Sequence, residues 1–245
     1  MNSSEDTAPL VLLTKFEDLE LADIIRASMA GNVEMSLALV EPTNSKSFEI
    51  IYCGVTFVIS ITQGVGNVSG LKEIFCGFDP GQVRSAVNIA LGAHVAGGER
   101  VPAIVRTLLD VAIKVGVLCG AVATVWRPAN IVSGFEYFEE AASGYLSDGP
   151  FPVLAMVNFK TRSGGIITTS GLETLSGQEL QIECGLMDTA ELMRRVVRVA
   201  HDIAVNGPVL AKTSLDGLEP GETLELDPVS GSGLLKMKCR SVLDA

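Results

Sequence analysis

The sequence predicts an α+β protein: a mixed, mostly antiparallel sheet, or several such sheets, layered with four to five helices. Short apolar runs of strand length alternate with stretches of helical period, and turns rich in glycine and proline separate them. Several strand runs follow one another with no helix between them, which favours antiparallel pairing. The pattern leaves one alternative open, namely two similar sheet-and-helix halves packed together.

We expect residues 1–8 to form a flexible tail and residues 9–245 to form a single α+β domain. A subdivision near residues 146–150 is the alternative, because Ser, Asp, Gly and Pro follow one another there and favour a turn. At 245 residues the chain can bury enough surface to fold without disulfides or metals.

The elements of the first third follow from local periodicity. Residues 9–13 predict a strand, and apolar positions at helical spacing predict a helix over residues 21–29. Three more strands are expected at 35–40, 48–53 and 55–61, and the last of these alternates apolar and polar side chains. This alternation is typical of a sheet with one better-buried face.

The middle of the chain predicts three helices around one apolar strand. The first two helices are expected over residues 79–93 and 102–116, each opened by a proline. Residues 117–126 have almost no polar position, which predicts a central strand covered on both faces. Ser133 and Glu136 have the spacing of a capping box and predict the start of the third helix, which should end near Gly144.

The stretch from residue 151 to residue 207 is the most regular part of the sequence. Its apolar and β-branched runs predict strands, and Asp188 with Glu191 predicts a capped amphipathic helix that ends at Gly207. A final strand pair is expected after it. The predicted strands are residues 153–159, 164–169, 178–184, 222–227 and 234–239.

This stretch resembles the C-terminal part of the bacterial family catalogued as domain of unknown function 4261. The resemblance covers about 90 residues in order and spacing, is clearest over about residues 117–210, and is weaker in the preceding half. It implies an α+β domain of bacterial origin and implies no catalytic residues. The motifs that carry it are Phe151-Pro152-Val153, Thr169-Ser170-Gly171-Leu172, Gln178-Glu179-Leu180-Gln181-Ile182, Asp188-Thr189-Ala190-Glu191-Leu192 and Asn206-Gly207-Pro208-Val209-Leu210.

Composition argues against several classes of function. The formal net charge of −11 repels phosphate backbones and anionic membrane surfaces, so we expect neither nucleic acid nor a membrane as a partner. The N-terminus has no basic segment followed by an apolar one, and the longest apolar run is shorter than the roughly 20 residues that a bilayer requires. The cytoplasm is therefore the expected location.

The sequence also gives little support for a metal site or a bound cofactor. The five cysteines are widely spaced and no two of them form a Cys-x-x-Cys pair, so we expect small buried hydrophobic residues in a reducing compartment. Histidines and carboxylates show no metal-ligand spacing. We expect no cofactor.

Two features leave an enzyme open as an alternative. His94 and His201 are the only histidines that could act as a base, and His94 is the better candidate because it lies between a helix and two glycines. Residues 64–70 form a glycine-rich loop after a strand, although Ser69 stands where a dinucleotide-binding loop has its third glycine. We lean towards a protein without catalytic activity.

A surface hypothesis remains. Loops at the ends of strands commonly carry binding groups, so the end of the apolar strand and the end of the next predicted hairpin could meet at one rim. With His94, the candidate binding residues are Trp126, Arg127, Thr168, Thr169 and Gly171.

Three functions are consistent with these observations. The first is a non-catalytic cytosolic module that binds another protein or associates with itself. The second is an enzyme acting on a small ligand through His94 or the Gly64–Gly70 loop. The third is an immunity or secretion-accessory protein of a bacterial toxin locus, which the acidity permits but does not single out.

Overall fold

The computed structural model describes residues 8–17, 20, 24, 40–44, 47–64, 70–75, 77–162, 165–183 and 187–240. The chain divides into two compact units, Met1–Ala155 and Met156–Ala245. Each unit contains one of two mixed, mostly antiparallel sheets, and five α-helices have described bounds. The predicted α+β class is confirmed.

The first unit carries an eight-stranded sheet, whose strands are β1 (Leu10–Thr14), β2 (Val40–Asn44), β3 (Ser47–Tyr52), β4 (Val55–Gln63), β5 (Lys72–Ile74), β6 (Ser85–Leu91), β7 (Ala121–Trp126) and β8 (Ile131–Gly134). Its two long helices are α1 (Pro102–Leu118) and α2 (Phe135–Leu146), and the short α3 (Val153–Met156) spans the border between the units.

The strand order of this sheet is β2-β3-β4-β6-β1-β7-β8-β5, and only the β5–β8 pairing is parallel. β1 lies near the middle and is buried along its whole length, as its unbroken apolar sequence requires. Helices α1 and α2 pack on each other and against β1, β7 and β8. A separate apolar cluster on this sheet consists of Val11, Leu13, Val83, Ala86, Ala123, Val125 and Val132.

The helix predicted over residues 79–93 is wrong. Asp79 caps only a short 3-10 turn, Pro80–Gln82, and the chain then enters strand β6 between β4 and β1. Every residue of β6 except Ala90 is buried, and its polar Asn88 donates to Thr62 Oγ1 at 2.9 Å. A strand buried on both faces has no alternation, so its apolar positions can also fit helical spacing.

Two predicted helix boundaries also require correction. Ser133 does not cap α2, because it lies in β8 and Gly134 occupies the cap position. Gly116 does not end α1, which continues to Leu118. A Cβ at Gly116 would overlap the ring of Phe135, so the glycine allows α1 and α2 to approach closely.

The second unit carries a six-stranded sheet with the strand order β12-β13-β14-β11-β10-β9. Its strands are β9 (Asn158–Arg162), β10 (Ile166–Ser170), β11 (Glu179–Glu183), β12 (Thr213–Asp216), β13 (Thr223–Val229) and β14 (Leu234–Arg240). The helices are α4 (Leu172–Ser176) and α5 (Thr189–Asn206), which contact each other and β11.

Most of the predicted elements of the second unit are confirmed. β10 pairs antiparallel with β9, β13 pairs antiparallel with β14, and Asp188 caps α5 by accepting from the Ala190 amide at 2.9 Å. The strand predicted over 153–159 is wrong in its first half, where the chain forms α3 before β9 begins at Asn158. The parallel pairing of β11 with β14 has no counterpart in the sequence analysis.

Other predictions lie wholly or partly outside the described residues. The helix at 21–29 is represented by Ile24 alone, which is helical and buried. Of the strand at 35–40, only Val40 is described, as the first residue of β2. β2 includes Pro42 and is an edge strand, the place in a sheet where proline is tolerated.

Candidate functional site

The predicted binding residues fall in both units. Trp126 ends β7, pairs with Leu10 and Ile131, and is only 2% exposed, so its indole belongs to the core. Arg127 begins a 3-10 turn, and its amide donates to the Pro9 carbonyl at 2.9 Å. Thr168, Thr169 and Gly171 belong to the second unit. Whether the two groups meet at one rim remains a prediction.

Thr169 and Gly171 are brought together by Glu179. One Glu179 oxygen accepts from Thr169 Oγ1 at 2.6 Å, and the other accepts from the Gly171 amide at 2.7 Å and the Glu173 amide at 3.1 Å. Thr169 Oγ1 in turn accepts from the Leu180 amide at 2.7 Å. The carboxylate therefore caps α4, and the polar groups of Thr169 and Gly171 are engaged within the unit.

His94 and the glycine-rich loop, the two features consistent with an enzyme, both belong to the first unit. His94 is exposed on the 3-10 turn Ala93–Val95. In the glycine-rich loop, Gly64 has a positive φ of 86°, and its amide donates to the Arg84 carbonyl at 2.7 Å. Residues 65–69 lie outside the described residues.

A hydrogen-bonded cluster that the sequence did not reveal joins β3 to α1. Tyr52 donates its hydroxyl to Asp110 at 2.5 Å, and Lys114 donates to the same carboxylate and lies 5.1 Å from the centre of the Tyr52 ring. Burial and the hydrogen bond to Asp110 raise the pKa of Tyr52. Burial alone would lower the pKa of Lys114, but the hydrogen bonds to Asp110 and Tyr52 outweigh it and raise that pKa. Both groups stay protonated near neutral pH, so the cluster fastens the hairpin to the helix.

A buried ion pair in the second unit was also missed. Arg195 interrupts the amphipathic pattern of α5, because it is 4% exposed and paired with Glu222, which is 6% exposed. Arg195 also donates to the Glu191 carbonyl at 2.8 Å, while Glu222 accepts from the Leu218 and Glu219 amides. Every bond is internal, which indicates a structural role.

The strongest candidate site is the open face of the second sheet. In β11 and β14 buried residues alternate with more accessible ones, and the buried set faces the core. Together with the exposed positions of β9 on the same face, the accessible set includes five cations: Lys160, Arg162, Lys236, Lys238 and Arg240. We call these five residues the basic face.

Strand register places two of these cations on one line across the sheet. Lys160 lies opposite Thr168, Thr168 opposite Gln181, and Gln181 beside Lys236. Three strand spacings separate the two lysines, or about 14 Å between their Cα atoms. The uncharged residues Thr168 and Gln181 therefore lie between the two lysines, and the Thr168 hydroxyl oxygen is shielded from solvent.

Few of these cations have a partner within the unit. Arg240 binds Glu225 at 2.8 Å, whereas the other four residues of the basic face make no ion pair within the described part of the chain. The acidic residues at the same strand parity are Glu179, Glu183, Asp216, Glu225 and Asp227, of which Glu179 binds backbone amides and Glu225 binds Arg240. These positions therefore carry as many carboxylates as cations, and the cations without an ion pair are concentrated on β9 and β14. Alternating Lys and Arg in β14 and β9 was the only sequence signal for the basic face.

The described residues give no indication of a metal site or a membrane span, and comparisons with known proteins do not bear on this site. The described residues contain no group of three or more His, Cys, Asp or Glu side chains arranged to hold a metal ion. None of the described helices is both long and apolar enough to cross a bilayer. Comparisons with protein-family models, curated proteins and solved structures find no match.

Proposed function

We propose that the chain is a non-catalytic protein-binding module whose second unit binds an acidic protein segment on the basic face. The observation that carries this proposal is the display, on β9 and β14, of four exposed cations that make no ion pair within the described residues. Cations that already have partners gain little from an anion, whereas unpaired cations can form new charge-assisted contacts.

Two considerations favour a protein carboxylate over nucleic acid. The basic face has no Phe, Tyr or Trp among its strand positions on which bases could stack, and single-strand binding depends strongly on such stacking. The negative field of the whole molecule also penalises a long polyanion more than a short acidic segment. We place this interaction in the bacterial cytoplasm, in keeping with the family resemblance.

The test uses a synthetic peptide of twelve residues in which Glu and Ser alternate, labelled with fluorescein and followed by fluorescence anisotropy at low salt. A peptide of alternating Gln and Ser is the matched probe. The variant Lys160→Gln/Lys236→Gln should raise the dissociation constant about five- to tenfold. The control Lys15→Gln/Arg100→Gln removes the same charge from exposed positions of the first unit and should change it little.

Three results would overturn the proposal. The Gln peptide could bind as tightly as the Glu peptide, or the control variant could lose as much affinity as the variant of the basic face. Duplex DNA could also compete more strongly than the acidic peptide, which would favour a nucleic-acid partner instead.

A further inference from the structure

The free edge of the second sheet is a separate surface. β12 is the terminal strand, and within the described residues it pairs only with β13. Thr213, Ser214 and Asp216 are exposed, and the strand contains neither proline nor lysine, two residues with which proteins commonly protect an edge.

The segments beside this edge are held in place and display apolar side chains. The Gln178 side chain makes two hydrogen bonds of 2.9 Å with the backbone of Val209, which fixes the chain just before β12. The next residue, Leu210, is 85% exposed, and Leu218 beyond the strand is 41% exposed. The anchored backbone therefore holds Leu210 in solvent close to the free edge.

The backbone groups that face the free edge can be deduced from the pairing with β13. The Gly217 amide donates to the carbonyl of Glu222, directly across the hairpin, so this is a hydrogen-bonded pair. Hydrogen-bonded pairs alternate along antiparallel strands, so Leu215 bonds inward to Leu224. The N–H and C=O groups of Ser214 and Asp216 therefore point away from β13, towards the free edge.

The side chains along this edge are self-complementary. Reading outward from Ser214, the positions two residues away are Lys212 and Asp216, and the positions four residues away are Leu210 and Leu218. Lys212 and Asp216 are exposed, and neither makes an ion pair within the described residues.

We propose that β12 pairs antiparallel with β12 of a second copy of this chain, with Ser214 opposite Ser214 on the two-fold axis. This register joins the outward backbone groups and sets Lys212 of each copy opposite Asp216 of the other. Outside the strands it brings Leu210 towards Leu218. If the pairing register shifts by two residues in either direction, the outward backbone groups can still pair. Lys212 then lies opposite Ser214 or Leu218 instead of Asp216. The proposed register is therefore favoured by charge.

This proposal goes beyond protein binding on the basic face and rests on different residues. The paired strands would make a continuous twelve-stranded sheet across two copies, and the closed two-fold symmetry limits the assembly to a dimer. Because the contact is one short strand, we expect a weak, concentration-dependent dimer.

The first test is sedimentation velocity on the full chain at low salt, from about 1 to 200 μM, with charge swaps. Lys212→Glu sets Glu opposite Asp216 twice, and Asp216→Lys sets Lys opposite Lys212 twice, so each variant should raise the dimer dissociation constant about tenfold. The double swap Lys212→Glu/Asp216→Lys should restore it. An equal mixture of the two single variants should also restore association, because both cross-strand pairs again have opposite charges.

The second test fixes the register. Ser214→Cys in a Cys53→Ser background should form an intermolecular disulfide under mild oxidation, because a hydrogen-bonded pair separates Cα atoms by about 5.5 Å. Asp216→Cys in the same background should not, since four residues of offset place the two thiols roughly 13 Å apart. A chain that remains monomeric throughout the concentration range, single swaps that leave association unchanged, or a disulfide formed more readily at 216 than at 214 would overturn the proposal.

Discussion

Arg195 and Glu222 form a buried, two-bond ion pair across 27 residues of sequence: Arg195 Nε donates to one carboxylate oxygen, and Nη2 donates to the other at 3.0 Å. The carboxylate also orders the turn between β12 and β13, because it accepts from the Leu218 amide at 2.8 Å and from the Glu219 amide at 3.0 Å. One side chain thus fastens a helix to a hairpin.

Removal of one partner should destabilise the second unit severely. Glu222→Gln leaves the Arg195 guanidinium buried without its counter-charge, so we expect the free energy of unfolding to fall by about 3–5 kcal/mol. Urea denaturation followed by circular dichroism measures this. Glu225→Gln is the matched control, because it breaks an ion pair with the 64% exposed Arg240 side chain and should cost about 1 kcal/mol or less. Equal losses for the two variants would contradict a special role for the buried pair.

The same carboxylate predicts how stability depends on pH. The hydrogen bond from Arg195 lowers the pKa of Glu222 and outweighs the opposing effect of burial. A carboxyl group whose pKa is lower in the folded state stabilises the fold fully above its unfolded pKa, and this contribution is lost as the pH falls through the folded pKa. Thermal melts from pH 7 to pH 3 should therefore show a steeper loss in the unmodified protein than in Glu222→Gln. Parallel curves would argue against this assignment.

Removal of the hydroxyl group should change the free energy of unfolding differently at two neighbouring threonines of β10. Thr169→Val leaves the buried Leu180 amide and one Glu179 oxygen without their partner and should cost about 1–3 kcal/mol. Thr168 Oγ1 is shielded from solvent and has no hydrogen-bond partner among the described residues, so Thr168→Val should be neutral or stabilising. Urea midpoints of the two variants check this directly, and a larger loss for Thr168→Val would refute the assignment.

Gly116→Ala should destabilise the first unit although alanine is the better helix former. The intrinsic gain is roughly 1 kcal/mol, but the new methyl group would overlap the ring of the 8% exposed Phe135. Overpacking of this kind costs about 1–3 kcal/mol, so we expect a small net loss. Gly144→Ala is the control, because nothing lies within 4 Å of a Cβ there. It should stabilise α2, and a gain at both positions would mean that Phe135 moves aside freely.

The described cysteines should differ sharply in reactivity. Burial raises the pKa of Cys119 to about 12 and that of Cys239 to about 11, so both thiols should resist iodoacetamide near pH 8. Cys53 is exposed in the two-residue turn between β3 and β4, which differs from the buried role expected from sequence. Peptide mass mapping after brief alkylation should find Cys53 modified before Cys119 and Cys239. Modification of Cys119 at the same rate would indicate that its environment opens readily.

Local signals predicted the second unit well because the residues that begin and end its elements are recognisable in the sequence. Asp188 caps α5, Gly207 ends it with φ of 89°, and the alternation in β11 identifies its buried face. The same periodicity does not indicate that Arg195 is buried, since only a partner 27 residues away makes a buried guanidinium tolerable. Glu179 was missed for a similar reason: its role depends on amides eight and six residues away that only the folded chain brings to it.

The errors in the first unit have a different physical origin. Residues 85–91 are apolar at nearly every position because β6 is covered on both faces, and such a run does not distinguish a strand from a helix. Residues 85–91 form a strand because β4 and β1 provide hydrogen bonds on both sides, and these neighbours cannot be inferred from sequence. The basic face likewise depends on strand order, which brings β9 within three strand spacings of β14.

The position of β14 imposes an order on the synthesis of the second unit. β14 lies between β13 and β11, so the sheet consists of two unconnected pieces until this strand is in place. The chain must therefore leave the ribosome as far as residue 240 before the sheet can close. Until then, α5 and the β12–β13 hairpin expose apolar surface that the complete sheet would bury. The parallel β11–β14 junction therefore makes closure of the second sheet a late event, in which a strand pairs with one made more than 50 residues earlier.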